Sequence, residues 1–562
     1  MSDLSYVSGA STEPLLYQTV GQVLERAAQR WPARDALVVP HQGICWSWRE
    51  LDRAATELAA GLLRWGLQPG DRVGIWSPNR FEWVVTQFAT AKAGLILVNI
   101  NPAYRLAELE FALNKVGCKA LVLAPRFKAS DYVGMLQQLA PELAGGLPGE
   151  LRLARLPQLR VAIVMDEAPP AGFLAYSSVA ASGRAEDFER LAQLQLLLQP
   201  EDPINIQFTS GTTGLPKGAT LSHHNIVNNG YFVARRQNFS ELERLCIPVP
   251  LYHCFGMVMG VLGCTTHGAA MVFPGESFDP LAVLQAVSAE RCSALYGVPT
   301  MFIAELEHPQ FRQFDLSCLR TGVMAGAPCP VAVMKRVVHD MHLSEITICY
   351  GMTETSPVSF QSRSDDPLEL RVATVGAIHP HLEVKIIDAA GRVVPLGGRG
   401  ELLTRGYSVM QGYWDDAEKT AQAVDPQGWM HTGDLAVLDA GGYCNIVGRV
   451  KDLIIRGGEN ISPREVEEFL YRHPKVQDVQ VFGIPDRRFG EVVCAWIRTR
   501  PGQDCTAEEI TAFCHDQIAH FKVPQQIRFV TEFPLTVTGK IQKFVMREHM
   551  IAELRLEQDR TA

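Results

Sequence analysis

An α/β fold with a smaller α+β unit at its C-terminal end is what this sequence predicts, on three observations. Helix and strand patterns alternate through the first half, which implies βαβ units and mostly parallel sheets. The last stretch, from about Lys451, changes to paired strands and two capped helices. And 562 residues exceed what one hydrophobic core holds; length alone suggests about three or four core-sized units.

Taken in order, Ser47-Trp48-Arg49-Glu50 is a capping box opening an amphipathic helix with Leu51, Leu58 and Leu62 on one face. "GLQPGDRVGIW" reads as turn then strand, "EWVVTQFATAKAG" as helix, and "LILVNINP" as a buried strand. "ALVLAP" near Leu121 and "RVAIVMD" near Val161 are two more short apolar strands, and the Gly/Pro-rich stretch from Pro141 to Pro157 reads as a surface connection. "INIQFTSGTTGLPKGATLSHHNI" reads as strand, loop, then a helix beginning near Ser222. The one long uncharged run, between Arg244 and Glu276, holds Pro248, Pro250, His253, His267 and several glycines. It is predicted to be a buried helix, a turn and a core strand, not a membrane span. Towards the C-terminus, Ser462-Pro463-Arg464-Glu465 and Thr506-Ala507-Glu508-Glu509 are capping boxes, and "VQDVQVFGI" and "EVVCAWIRT" are strands.

Composition narrows the function classes. Hydrophobic residues at 47% and charged ones at 20% are those of a globular protein. A net charge of -9 argues against broad phosphate neutralisation of a nucleic acid. Thirteen cysteines show no CxxC pair and no metal-ligand spacing, which fits reduced thiols in a reducing compartment. The N-terminal segment carries no Lys or Arg before Arg26, unlike a secretory or transit peptide, so a cytoplasmic location is expected.

The segment Thr209–Lys217 (Thr209, Ser210, Gly211, Thr212, Thr213, Gly214, then Leu-Pro-Lys217) concentrates hydroxyls, glycines and one lysine. Glycines let backbone N–H groups close around a ligand, hydroxyls add donors and the lysine adds charge, a set that suits a polyphosphate. It is not a Walker A loop: Pro216 stands where the second glycine belongs, and Gly218 follows Lys217 where a Ser or Thr would hold Mg²⁺. A magnesium ligand must then come from elsewhere. The alternative, a plain surface turn, is disfavoured by two Ser/Thr-Gly pairs followed by Pro-Lys-Gly.

Further segments follow: "AGAP" at Ala325–Pro328, "YGMTET" at Tyr350–Thr355, "GELLTRGYSVMQGYW" from Gly400, "GWMHTGDLA" at Gly428–Ala436, "GRVKDLIIRGGENISPREVE" at Gly448–Glu467 and "PLTVTGKIQK" at Pro534–Lys543. In this order they resemble the adenylate-forming (AMP-binding) superfamily, within it the acyl-CoA synthetases, and the wording "YGMTETSPVSF" looks most similar to medium-chain fatty acyl-CoA synthetases. The resemblance spans nearly the whole chain. It implies a large N-terminal domain, 1–449, of parallel βαβ subdomains with a small β-subdomain, and a mobile C-terminal domain, 450–562, turning on a hinge at Lys451.

The resemblance also implies roles. The loop Thr209–Lys217 cradles the phosphates of ATP; Glu354 holds Mg²⁺; Thr353 sits by the α-phosphate; Tyr350 and Gly351, with Gly326, Ala327 and Pro328, enclose the adenine; Asp434 and Arg449 take the ribose. Lys540 bridges the carboxylate and the α-phosphate during adenylation, and Gly457 and Gly458 let the pantetheine arm of coenzyme A pass. His253 matches the position beside the substrate carboxylate, with a buried structural histidine as the alternative; Phe255, Met257, Val323 and Met352, with Met324 and Val358, would line an acyl pocket. These segments carry no charge to greet an ammonium or a second carboxylate, so an apolar monocarboxylic acid is favoured over an amino acid.

The expected activity is ATP-dependent ligation of a fatty acid, of medium chain length, to coenzyme A with ATP, Mg²⁺ and CoA as cofactors and co-substrates. Loading of a carrier protein, branched, keto or aryl acids, a luciferase-like oxidation and a catalytically dead scaffold are the competing readings. The partners are small molecules, not nucleic acid or an integral membrane environment; a homodimer is left open.

Overall fold

The computed structural model describes residues 3–209, 216–327, 329–456, 459–515, 517–536 and 539–554. The chain packs as two compact units. One comprises Val7–Val384 and Thr404–Met430; the other comprises Met1–Tyr6, Lys385–Leu403 and His431–Ala562. This partition by packing takes the smaller unit back beyond 450, to His431, and adds two earlier segments.

In the larger unit, two mostly parallel sheets carry the architecture. Among the described residues the first has eight strands, in the order Leu174–Ala175, Val161–Val164, Cys118–Leu123, Arg72–Trp76, Ile96–Asn99, Pro203–Thr209, Lys217–Ser222 and Gly412–Tyr413. Its central pairs are parallel, while Lys217–Ser222 runs antiparallel to both its neighbours. Pro203–Thr209 and Lys217–Ser222 thus pair antiparallel, so a strand stands between the phosphate-loop segment and the helix that follows. Lys217–Ser222 looks like loop by composition and becomes a strand because Pro203–Thr209 offers it a ladder. The helix His223–Arg236 then starts as expected, capped by Ser222, whose Oγ accepts from Asn225 N at 3.1 Å.

Among the described residues the second sheet has nine strands, with Glu345–Gly351, Thr321–Ala325, Ala294–Gly297, Arg244–Cys246 and Ala270–Val272 parallel at its centre. The uncharged run resolves into a π-helical segment Phe255–Leu262, a short α-helix Gly263–His267, a left-handed turn at Gly268 and the strand Ala270–Val272. Helix, turn and core strand are as the sequence reading has them. Among the described residues no helix is long and apolar enough to cross a membrane.

The helix Trp48–Arg64 has its capping box at Ser47, and Leu51, Leu58 and Leu62 are fully buried. The helix Phe81–Lys92 is covered almost all round, Lys92 included, whose ammonium meets Glu25 at 2.7 Å and Asp52 at 2.9 Å. Two elements differ from expectation. The Pro141–Pro157 stretch is no mere surface connection, because Leu143, Leu151, Leu153 and Leu156 are all buried. Ser462 forms no capping box: its hydroxyl donates to Val447 O at 2.6 Å instead.

In the smaller unit, Val476–Asp486 and Gly490–Thr499 form a long antiparallel pair, flanked by Ile454–Arg456 and, in parallel, by Gln526–Phe529. Alternation at period two splits this sheet into two apolar faces. Val479, Val481, Val493 and Ala495 pack with the helices Pro463–Leu470 and Ala507–Cys514; Phe482, Ile484, Cys494 and Trp496 pack with Met546 and Met550 of Lys543–Leu554. The N-terminal segment belongs here too: Ser5 Oγ donates to Pro395 O at 2.8 Å, and Ser5 O accepts from Ile386 N at 2.9 Å.

Candidate functional site

In the larger unit the antiparallel pair delivers Thr209 and Lys217 as register partners, the last before the segment that connects the two strands. The strand Glu345–Gly351 ends in a single turn, Thr353–Thr355, that carries Glu354 inward. Gly351 is required at this exit, since a Cβ there would lie 1.7 Å from Pro357 O. Glu354 is only 5% exposed, and its Oε1 accepts from Tyr413 Oη at 2.8 Å and from Thr209 Oγ1 at 3.3 Å. Lys217 Nζ donates to the same Tyr413 Oη at 2.9 Å and lies 4.2 Å from the centre of its ring. Lysine, phenol, carboxylate and threonine therefore form one chain. Burial and then the Glu354 carboxylate push the Tyr413 hydroxyl well above its ordinary range, so it stays a neutral donor. Tyr413 is held in place by the ladder to Ala219 and by the bond from its own N to Thr420 Oγ1 at 2.9 Å.

A second group gathers around Thr353. Cys254 Sγ lies 3.9 Å from both His253 Nδ1 and Thr353 Oγ1. His253 Nδ1 also accepts from Phe255 N at 3.1 Å. A neutral imidazole that accepts at Nδ1 carries its proton on Nε2, so the ring is set as a donor from that nitrogen. Phe255, Met257, Val323 and Val358 are buried in one apolar cluster, with Met352 packed against it. Met324 is a correction: it neighbours Val323 on the same strand, faces the opposite side, and packs with Phe302 and Val337, so it cannot line the same pocket. Tyr350 is half-buried, its ring 6.3 Å from that of Phe360, and Gly326 takes the left-handed φ of +89° that a turn after Ala325 demands, with Ala327 beside it.

In the smaller unit, Asp434 and Arg449 are register partners in the antiparallel pair Met430–Leu438 and Cys444–Arg449. Arg449 Nε donates to Asp434 Oδ1 at 2.9 Å. Lys451 follows in an exposed turn. Lys540 is exposed; Thr536 N donates to Lys540 O at 2.7 Å and Lys540 N to Thr536 Oγ1 at 3.0 Å. Ser210, Gly211, Thr212, Thr213, Gly214, Pro328, Gly457 and Gly458 lie outside the described residues.

Sequence reasoning missed Tyr413, although it stands in the quoted "QGYW". It also missed four buried carboxamides, Gln87, Asn99, Asn205 and Gln207. Of these, only Asn205 and Gln207 leave a sequence signal, as amides two residues apart in an otherwise apolar strand.

Comparison with known proteins supplies the family. Residues 24–414 match the model of the AMP-binding enzyme, and residues 465–540 match that of the AMP-binding enzyme C-terminal domain. The chain belongs to the AMP-binding enzyme family. A relative in Danio rerio named medium-chain acyl-CoA ligase ACSF2, mitochondrial, is 50% identical over 555 residues, which cover 98% of this chain and 91% of that one. Among solved structures, an anthranilate CoA ligase in complex with anthranoyl-AMP superposes with a TM-score of 0.84 at 28% identity, over 97% of this chain and 99% of that one. ATP-bound MatB from Rhodopseudomonas palustris gives 0.81 at 28% identity, over 94% and 98%. The AMP-binding fold expected from the sequence is therefore the fold observed.

A magnesium ion fits the donor set of the larger unit. Glu354 is a buried carboxylate flanked by two hydroxyls, a hard-oxygen environment beside a phosphate-type loop. Among the described residues no group of three or more His, Cys, Asp or Glu is arranged around a metal. A cation here would share Glu354 with phosphate oxygens and waters.

Proposed function

We propose that this protein is an ATP-dependent, AMP-forming acyl-CoA ligase acting on medium-chain fatty acids. The observation that carries the reading is the hydrogen-bonded chain Lys217–Tyr413–Glu354–Thr209, buried at its two central members, which joins a cation, hydroxyls and a carboxylate on either side of the segment read as a phosphate loop. The relative named as a medium-chain acyl-CoA ligase and the uncharged surroundings of Phe255 and Met257 support the substrate class.

In the first half-reaction the substrate carboxylate attacks the α-phosphorus of ATP and pyrophosphate leaves. Four charged groups meet, so the chain's task is positioning and charge compensation. Lys217 and the loop hydroxyls hold the phosphates; bound Mg²⁺, taken by Glu354, would neutralise part of their charge. His253, protonated on Nε2, donates to the substrate carboxylate and fixes its approach, with Thr353 beside the α-phosphate. Tyr350, Gly351, Gly326 and Ala327 bound the adenine, Asp434 accepts from both ribose hydroxyls, and Arg449 orients that carboxylate and reaches the phosphate side. Lys540 supplies a compact ammonium to the oxygens on which charge develops. In the second half-reaction the CoA thiol attacks the acyl adenylate and AMP leaves; the segment 450–562 turns on Lys451 to exchange Lys540 for the Gly457–Gly458 face.

Among the described residues no cysteine is joined in a disulfide, which supports a reducing compartment. The cytoplasm is our first placement; the relative named mitochondrial makes the mitochondrion the alternative, and fractionation decides. A homodimer is a matter for sedimentation.

The test is pyrophosphate release with ATP, Mg²⁺ and saturated acids from two to sixteen carbons (~2–16, spanning the range over which added methylenes change binding), with and without CoA. Turnover peaking at medium chains and continuing only with CoA supports the reading. Release that halts at one equivalent despite CoA points to a carrier protein, and no release with any acid overturns the assignment.

A further inference from the structure

The segment carrying His253 is clasped from three directions by buried carboxamides. Gln87, on the helix Phe81–Lys92, donates from Nε2 to Met257 O at 3.2 Å. Asn99, at the end of the strand Ile96–Asn99, donates from Nδ2 to Tyr252 O at 2.8 Å and to Met257 Sδ at 3.2 Å. Gln207, on the strand Pro203–Thr209, donates from Nε2 to Met257 Sδ at 3.3 Å. Asn205 ties the two strands together: its Nδ2 donates to Leu97 O and to Asn99 Oδ1, each at 3.0 Å, and its Oδ1 accepts from Gln207 at 2.8 Å. All four amides are at most 3% exposed.

Carboxamides are costly to bury, and hydrocarbon would fill the same space at less expense. Methionine is ordinarily the adaptable residue of a core, a chain of three free torsions. Here its sulfur accepts from two amides fixed on neighbouring strands and its carbonyl accepts from a third, so neither its backbone nor its thioether has freedom to repack. It also stands within the uncharged surroundings of the proposed acyl site, one helical turn from His253.

We propose that the ladder Asn99–Asn205–Gln207 makes Met257 a rigid stop that sets the length of acyl chain the enzyme accepts, and registers that stop against the strand leading to Thr209. Chain-length selection is then a property of polar residues that never touch the acid. Met257 is the specificity-determining contact, and Asn99 and Gln207 are positioning residues. The inference rests on the ligase reading above.

The experiment compares kcat/KM over the same series of saturated acids for the wild-type protein, Gln207→Leu and Met257→Ala, with thermal unfolding alongside. Freed of one amide, the thioether yields to longer chains. Gln207→Leu is expected to broaden the profile, raising activity on acids two to four carbons beyond the optimum by about tenfold relative to the optimum, the scale set by one or two methylenes in an apolar pocket. Met257→Ala, which keeps the ladder and removes the stop, is expected to move the optimum itself to longer acids. A merely structural ladder would lower all rates together and leave their ratios unchanged; that result overturns the inference. Should Gln207→Leu fail to fold, Met257→Ala alone decides, an unmoved optimum overturning it. A wild-type protein that releases no pyrophosphate with any acid overturns the ligase reading and this inference with it.

Discussion

Tyr413 keeps apart two groups that would otherwise attract. Lys217 and Glu354 carry opposite charge, and each bonds to the one phenol oxygen between them. Without that oxygen the ammonium and the carboxylate close into a direct ion pair, and both are then withdrawn from phosphate and cation. Tyr413→Phe keeps the ring under Lys217 and removes only the hydroxyl. Its expected effect is a rise of about tenfold in the KM for magnesium-ATP, the scale of one hydrogen bond to a charged group. Calorimetric titration with the non-hydrolysed nucleotide would show the same weakening, while thioester formation from supplied acyl adenylate keeps its rate. Lys540→Ala should lower adenylation by about 10²–10³ and leave that second half-reaction near wild type, because an electrostatic group used in one transition state is not missed in the other. Equal loss in both halves would show that Lys540 acts on the fold.

At the scale of elements, capping boxes illustrate what sequence spacing conveys and what it does not. Ser47 and Thr506 cap their helices as their spacing predicts. Ser462 has the same spacing but spends its hydroxyl on Val447, an acceptor fifteen positions back that local pattern cannot reveal. The antiparallel pair at the phosphate loop escaped for a related reason: "KGATLS" has little strand propensity, and pairing on both sides overrides it. Tyr413 was illegible as a site residue because its partners stand 196 and 59 positions away. By contrast the uncharged run was readable, since prolines and glycines interrupt it at intervals too short for a span. The helix Phe81–Lys92 carries its own prediction. Lys92→Met removes the only charge between Glu25 and Asp52 that the described contacts pair with both. Because both carboxylates keep access to water, the expected cost is about 1–3 kcal/mol, below that of a fully enclosed pair, read as a shift in denaturant midpoint.

For the whole molecule, two buried histidines tie the stability of the fold to pH. His223 and His379 are fully buried, and burial holds the first down to about 3 from an ordinary 6.5 and the second well below its ordinary value. His223 Nδ1 accepts from Val20 N at 3.0 Å, and His379 Nε2 meets Gln361 Oε1 at 2.9 Å. Unfolded, each ring takes a proton near pH 6.5; folded, neither does until far lower. The unfolded state therefore binds more protons below that pH, and stability falls as pH drops. Each ring contributes a slope of about 1.4 kcal/mol per pH unit in that window. Denaturant midpoints at pH 7, 6 and 5 should fall in turn, and His223→Asn, which keeps an acceptor for Val20 and cannot titrate, should remove one proton from the slope.

The smaller unit gathers its parts from distant places in the chain, and this imposes an order of events in time. Ser5 bonds to Pro395, 390 residues later. A ribosome adding about 5–20 residues each second needs about 20–80 s to reach that partner. Throughout that interval the segment about Ser5 waits for the Pro395 side of its own unit, while the larger unit already has most of its strands. A segment made early is thus among those that find their place late.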